Sequence, residues 1–147
     1  MSESSTITIS PSLHRKVLKL MGNRFEITIV SDSELEAIAR IDDAVSEIRR
    51  IETLLTTFNE SSQTNHINFY AGVRPVKVDK EVFDLIQRSK RISEITQGAF
   101  DITYGSIDKS LWNFDTKMTT LPDATTAKKM VKLIDYQKIT LNQNNST

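Results

Sequence analysis

Between Ser33 and Leu55 the apolar side chains recur at the spacing of a long amphipathic α-helix. Leu35, Ile38, Ile41, Val45, Ile48 and Leu55 step by threes and fours, with Glu52 the one interruption and Ile51 beside it. At about 3.6 residues per turn these positions share one stripe, which must be buried against another layer. Ser33 and Glu36 form an S-x-x-E capping box at its start, where a hydroxyl and a carboxylate satisfy the first free amides. Glu36 and Arg40 are spaced i, i+4 on the wet face.

The flanking sequence offers the partner layer. From His14 to Val30 the period drops to two. Val17, Leu18 and Leu20 precede Met21-Gly22-Asn23, and then Phe25, Ile27 and Ile29 alternate with Glu26 and Thr28. This pattern predicts two strands joined by a hairpin or a bulged turn. Residues 56–71 are polar and turn-rich and read as a loop. Residues 75–78 read as a short strand leading into Asp79, the N-cap of a second helix. Its expected buried stripe is Val82, Leu85, Ile86, Ile92 and Ile95, with Gly98 at C′. A third helix starts at Pro122-Asp123, with Ala127, Met130, Val131 and Ile134 on one face.

Residues 136–141, which begin at Tyr136 and end at Leu141, read as a strand, and residues 142–145 as a turn. A strand and a turn without a return strand predict one of two things. Either the chain is part of a longer protein, or another part of the fold or another chain completes that edge. The fold class expected is α+β: a mixed, mostly antiparallel sheet of about four to six short strands, packed by about three helices.

Composition narrows the function. A length of 147 residues suits one domain, expected over residues 13–147 after a Ser/Thr-rich, poorly ordered lead-in over residues 1–12. Nineteen Lys and Arg balance nineteen Asp and Glu, and this neutrality argues against a general electrostatic grip on nucleic acid or an anionic membrane. The absence of Cys removes disulfides, thiolate nucleophiles and Cys-ligated metals together. No run approaches the roughly 18 apolar residues of a spanning helix. The first residues lack the basic start and apolar stretch of a signal peptide, and there is no Cys for a lipid anchor. As written, the chain is expected to be soluble and to start in the cytoplasm. His14 and His66 lack metal-ligand spacing, and His66 reads as a surface or hydrogen-bonding residue. Four glycines in all argue against a glycine-built phosphate cradle.

Residues 96–105 admit two readings. Gly98 and Gly105 bracket Ala99, Phe100, Asp101, Ile102, Thr103 and Tyr104 directly after the second helix. A positive φ at Gly98, a small Ala99 and polar groups beside an aromatic ring suit a planar heterocycle carrying ribose or phosphate. Alternatively, Gly98 caps the helix, Phe100 belongs to the core and Asp101 caps the next turn.

Several patches, in order, resemble the ApbE family, the FAD:protein FMN transferases once described as thiamine-biosynthesis lipoproteins. Met21-Gly22 is similar to the family's M-G-T, and Leu54-Leu55-Thr56-Thr57-Phe58 to its L-S-T-Y. The run from Ser62 to Asn68 resembles S-E-I-x-x-L-N, and T-Q-G-A-F-D-I-T-Y-G, beginning at Thr96, is close to T-x-G-A-F-D-P-T-V-G. Leu111-Trp112-Asn113-Phe114 resembles L-W-G-F, and Pro122-Asp123 and Tyr136 fall where the family has a proline-led helix and G-Y. The likeness runs from Met21 to Leu141, and G-A-F-D-x-T is its most specific part. Phe58 replaces the family's Tyr, Gln63 its Glu, Asn23 its Thr and Ile102 its frequent Pro.

The resemblance implies an enzyme that moves FMN from FAD to a Thr hydroxyl of a target protein bearing a flavinylation motif, with AMP released and Mg²⁺ required. It implies FAD contacts at Met21, Phe58, Ala99, Phe100 and Asp101, where a thioether and aromatic rings can pack on a flat ring system. The Asp101 carboxylate would meet polar edges of the cofactor. Met21 as a strand-end packing residue and Phe58 as a helix-end core residue are the competing readings. The family's glycine-rich segment with a Lys, and its later Asp/Thr patch for Mg²⁺, have no counterpart in these 147 residues. The catalytic and metal residues are therefore expected outside this chain, which reads as the N-terminal half of the transferase domain and as inactive alone. The family is often periplasmic. The alternatives are a non-catalytic FAD-binding module, or an interaction domain in which a partner chain completes the strand from Tyr136.

Overall fold

The computed structural model describes residues 12–108, 110–111 and 120–147. Residues 1–11, in the expected lead-in, and Trp112, Asn113 and Phe114 of the L-W-N-F patch lie outside the described residues. The architecture is α+β, with one two-stranded antiparallel sheet and four α-helices among the described residues. The chain divides into two compact units, Met1–Val73 and Arg74–Thr147.

The first unit is a hairpin covered by a helix. Strands β1 (Ser12–Leu20) and β2 (Asn23–Ser31) pair antiparallel, with Leu20 opposite Asn23 and Ser12 opposite Ser31. The turn is therefore Met21-Gly22, and Asn23 already belongs to the ladder. Alternation puts Leu18, Leu20, Phe25, Ile27 and Ile29 on one face, where helix α1 (Glu34–Leu55) packs across both strands. Two strands alone are marginal in water, and this helix supplies the apolar cover they need. On the other face, Arg15 pairs with Glu26 at 3.2 Å in solvent.

The cap of α1 is half of the expected box. Ser33 Oγ accepts from the Glu36 amide at 3.3 Å, but Ser31 Oγ accepts from the Ser33 amide at 3.1 Å, the place the box reserves for Glu36. Arg40 pairs with Asp43 at 3.0 Å rather than with Glu36. Ala37, Ile41 and Val45 are the buried residues of α1, while Leu35 is 82% exposed and Ile38 half-exposed. The stripe is thus rotated towards Ala37, because the hairpin reaches only one side of the first turns.

The expected loop over residues 56–71 contains a helix, α2 (Gln63–Tyr70). Its sequence is polar and only eight residues long, too short to hold itself together, so its stability comes from tertiary bonds. Ser62 caps it, accepting from the Asn65 amide at 3.1 Å while its hydroxyl donates to the Thr56 carbonyl at 2.5 Å.

The second unit is built on α3 (Lys80–Ile95), with Asp79 at its N-cap as expected. Of the expected stripe, Val82 is buried and Ile86 partly buried, but Leu85 and Ile92 are half-exposed and Ile95 is 66% exposed; Phe83, Ser89 and Ser93 complete the buried side. The serines are tolerated inside because each hydroxyl donates to the carbonyl four residues back, Ser89 to Leu85 at 2.9 Å and Ser93 to Ser89 at 3.1 Å. Helix α4 (Ala124–Val131) starts where Pro122-Asp123 placed it, and Asp123 accepts from the Thr125 and Thr126 amides at 2.9 and 3.0 Å.

Two expected strands do not form. Residues 75–78 are extended without a ladder, and the Val78 amide donates to the Ser146 carbonyl at 3.0 Å. Residues 136–138 form a 3-10 turn, Tyr136–Lys138, capped by Asp135, whose Oδ1 accepts from the Gln137 amide at 3.0 Å. The β-rich composition of Tyr136, Ile139 and Thr140 loses to this local Asx turn. The expected edge for a partner chain is therefore absent. The turn after Asn142 does form, closed by reciprocal Asn142 and Thr147 bonds at 2.7 and 3.2 Å.

Candidate functional site

In the first unit, Met21 occupies the tip of the hairpin. Met21 and Gly22 have φ of +49° and +74°, so both central residues of the two-residue turn lie at positive φ, as type I′ geometry requires. Glycine accepts this freely, whereas a methionine there costs about 1–2 kcal/mol. Met21 is held with its side chain 43% exposed, an apolar group presented to solvent on a strained turn.

Phe58 is presented in the same way. The residue is 95% exposed and takes no part in the core of this unit. The turn carrying it is tightly bonded. The Phe58 amide donates to Thr56 Oγ1 at 3.1 Å, and Asn65 Nδ2 donates to the Thr57 and Asn59 carbonyls at 3.1 and 2.7 Å. With the Ser62 bond to Thr56, the L-L-T-T-F patch and the S-Q-T-N patch are one hydrogen-bonded piece. Ser62 and Asn65 are thus positioning residues that sequence reasoning passed over; the signal was a Ser followed three residues later by Asn at a helix start.

In the second unit, α3 ends in a Schellman motif one residue earlier than expected. Gln97, at φ +52°, is C′ and donates to the Glu94 carbonyl at 3.1 Å; Gly98, at φ +83°, is C″ and donates to Ser93 at 2.9 Å. The next amides are also used. Ala99 donates to the Thr96 carbonyl at 3.1 Å, and Phe100 donates to Thr96 Oγ1 at 3.2 Å. The Phe100 ring is 43% exposed rather than core.

Asp101 caps the 3-10 turn Ile102–Ser106, and its carboxylate is engaged within the protein. Oδ1 accepts from the Thr103 amide at 2.8 Å and the Thr103 hydroxyl at 2.7 Å; Oδ2 accepts from the Tyr136 amide at 2.9 Å. Thr103 Oγ1 in turn accepts from the Asp135 amide at 2.8 Å. Partial burial pushes the Asp101 carboxyl up, but the Thr103 hydroxyl, the Thr103 and Tyr136 amides and the nearby Lys138 charge together hold it below the usual range. The D-x-T part of the motif is a clasp on residues 135–136.

The structure therefore gathers Ala99, Phe100 and Asp101 on one bonded loop of the second unit, and sets Met21 and Phe58 on two separate turns of the first. Two grooves lie elsewhere. One, of about 420 Å³, is lined by His14, Lys16, Ile38 and Asp42 among others. The other, of about 650 Å³, is lined by Glu60, Asn65, His66, Asn68, Phe69 and Tyr70. Among the described residues no three His, Asp or Glu side chains stand close enough to hold a metal ion.

The ApbE family model matches residues 21–147. The chain belongs to the ApbE family. It is 32% identical over 126 residues to an FAD:protein FMN transferase of Klebsiella pneumoniae (strain 342), covering 83% of this chain and 36% of that protein. A protein of the same name from Treponema pallidum is 26% identical over 106 residues, covering 72% of this chain and 29% of its own length. The chain thus spans little more than a third of the Klebsiella relative. Two solved structures share the fold. The ApbE protein of Thermotoga maritima superposes with a TM-score of 0.80 at 23% identity, over 92% of this chain and 43% of that one. Apo Pseudomonas stutzeri flavinyl transferase ApbE superposes at 0.66 and 18%, over 94% of this chain and 45% of that one. No helix among the described residues is long and apolar enough to cross a membrane.

Proposed function

We propose that this chain is the FAD-binding N-terminal part of a Mg²⁺-dependent FAD:protein FMN transferase. The observation that carries the reading is the 32% identity, across 83% of the chain, with a Klebsiella pneumoniae protein of that name. In the reaction, the hydroxyl oxygen of a Thr in a target protein attacks the phosphorus of the FMN half of FAD. The P–O–P bond breaks, AMP leaves, and the hydroxyl proton passes to a base. Met21, Phe58, Ala99 and Phe100 face FAD and Asp101 belongs to the loop that borders it: the thioether and rings pack on its flat systems, and the residue 99–101 loop lies along it. Exposure of Met21, Phe58 and Phe100 supports that role, since buried side chains would be closed to a ligand.

By the resemblance, the Mg²⁺ ligands and the base belong to the family's later glycine-rich Lys segment and Asp/Thr patch, which have no counterpart in these 147 residues. The chain by itself is then a binding element without turnover. The test is incubation of the 147-residue chain with FAD, Mg²⁺ and an acceptor protein carrying a Thr-containing flavinylation motif. The reading expects no covalent flavin on the acceptor, and covalent flavin there would show that these residues complete the site. A non-catalytic FAD module is the second reading. It separates from the first if a longer protein containing this chain binds FAD yet leaves the acceptor unmodified.

A further inference from the structure

We infer that Thr103 is a positioning residue for flavin binding, acting through Asp101, and that the Asp101 carboxylate serves the loop rather than an edge of the ligand. The inference rests on the reading of residues 99–101 as part of the FAD site. Three bonds converge on the carboxylate from within the protein. Oδ1 takes both the Thr103 amide and the Thr103 hydroxyl, and Oδ2 takes the Tyr136 amide. Two of the four acceptor directions are filled on Oδ1, and the third bond orients Oδ2 towards residue 136. Three of the four acceptor directions are thus committed to charge-assisted bonds within the fold, which leaves the carboxylate chiefly a fastener of the loop.

The Thr103 hydroxyl is the hinge pin of this arrangement. It donates to Asp101 and simultaneously accepts from the Asp135 amide at 2.8 Å. One oxygen therefore couples the residue 99–101 loop to a segment more than thirty residues away, and the hydroxyl's single proton is committed to the carboxylate. On the other side of the loop, Thr96 Oγ1 holds the Phe100 amide at 3.2 Å and donates to the Ile92 carbonyl at 2.9 Å. Ala99 and Phe100 are thus suspended between a threonine anchored on α3 and a threonine anchored on residue 135. Loss of either anchor frees the Phe100 ring, which is presented to solvent at 43% exposure. Fixing that ring beforehand lowers the ordering cost of stacking on a flat ligand, so the hydroxyl acts on affinity without touching flavin.

The experiment is FAD titration by flavin fluorescence, with amide exchange of Tyr136 and Phe100, on the full chain carrying Thr103→Val or Thr103→Ser. Thr103→Val keeps the shape and removes the hydroxyl. It is expected to raise exchange at both amides and weaken FAD binding about tenfold. Thr103→Ser, which restores the hydroxyl, is expected to return both towards the wild-type values; a merely structural role for threonine's methyl would not be rescued this way. If Thr103→Val exchanges faster but binds FAD as the wild type does, the clasp is real and uncoupled from the site, and the inference falls. If the two amides exchange as in the wild type, it also falls. If the wild type itself binds no FAD, the flavin reading fails first and takes this inference with it.

Discussion

The Tyr136 amide donates a 2.9 Å hydrogen bond to Asp101 Oδ2, joining two residues 35 positions apart in the chain. The motif most specific to the family is therefore half presentation and half fastening. Ala99 and Phe100 face outward, while Asp101 and Thr103 grip residues 135 and 136. Ionisation of the carboxylate strengthens every one of these bonds.

The pH dependence follows from the direction of the Asp101 shift. Its carboxyl is held below the ordinary range in the folded chain, against the upward push of partial burial, by the Thr103 and Tyr136 bonds. The clasp's stabilisation is thus fully present above the unfolded Asp value of about 3.9 and is lost as pH falls through the lower folded value. The Tyr136 amide proton shift, followed by NMR from neutral pH down, is expected to hold steady through the ordinary Asp range and titrate only beneath it. A midpoint at or above the ordinary value contradicts the clasp.

Asp101→Asn is expected to be selective in its damage. The amide oxygen can still accept from Thr103, but its NH₂ group faces the Tyr136 amide, donor against donor. We expect a loss of about 1–2 kcal/mol in urea unfolding, with faster exchange concentrated at Tyr136 rather than at Thr103.

Met21 sets stability against binding. Replacing it with Asn creates the Asn-Gly pair that two-residue hairpins with positive φ favour, and relieves the strain at φ +49°. Thermal unfolding should show a gain of about 1 kcal/mol, while loss of the thioether weakens FAD binding. A variant that is no more stable would indicate that the turn carries no strain.

Ser62 is 2% exposed and ties two segments at once, through the Thr56 carbonyl and the Asn65 amide. Ser62→Ala should cost about 1–3 kcal/mol in chemical unfolding and loosen α2 and the Phe58 turn together. Proteolysis within residues 56–62 should then speed up relative to the wild type.

What could be read from the residues alone divides by the origin of the stabilising contacts. Helix α1 was legible because its cap, its periodicity and its 22-residue length agree, and the hairpin because alternation flanks a glycine turn. Helix α2 was not, since its eight mostly polar residues are held through Ser62 and Asn65 by the Thr56, Thr57 and Asn59 carbonyls, which no local pattern announces. On α3 the apolar stripe found Val82 and Ile86 but not the serines beside them: Ser89 and Ser93 satisfy their own hydroxyls within the helix and so pass unseen as buried residues. The strand expected from Tyr136 was undone by Asp135 and by the distant Asp101 and Thr103. Within the candidate site the resemblance marked Phe58, Phe100 and Asp101, while the anchoring roles of Thr96, Thr103, Ser62 and Asn65 needed three-dimensional bonds to be seen.

The role proposed for Phe58 and Phe100, serving flavin rather than the fold, is testable without unfolding the protein because these residues are 95% and 43% exposed. The direct measurement is the FAD dissociation constant of the full chain, from flavin fluorescence, for the wild type and the Phe58→Ala/Phe100→Ala double variant, with thermal unfolding run in parallel. The account predicts saturable binding by the wild type. It predicts binding weakened at least tenfold in the variant, with stability changed by no more than about 1 kcal/mol. Equal binding by the two proteins, or no saturable binding by the wild type, would contradict it.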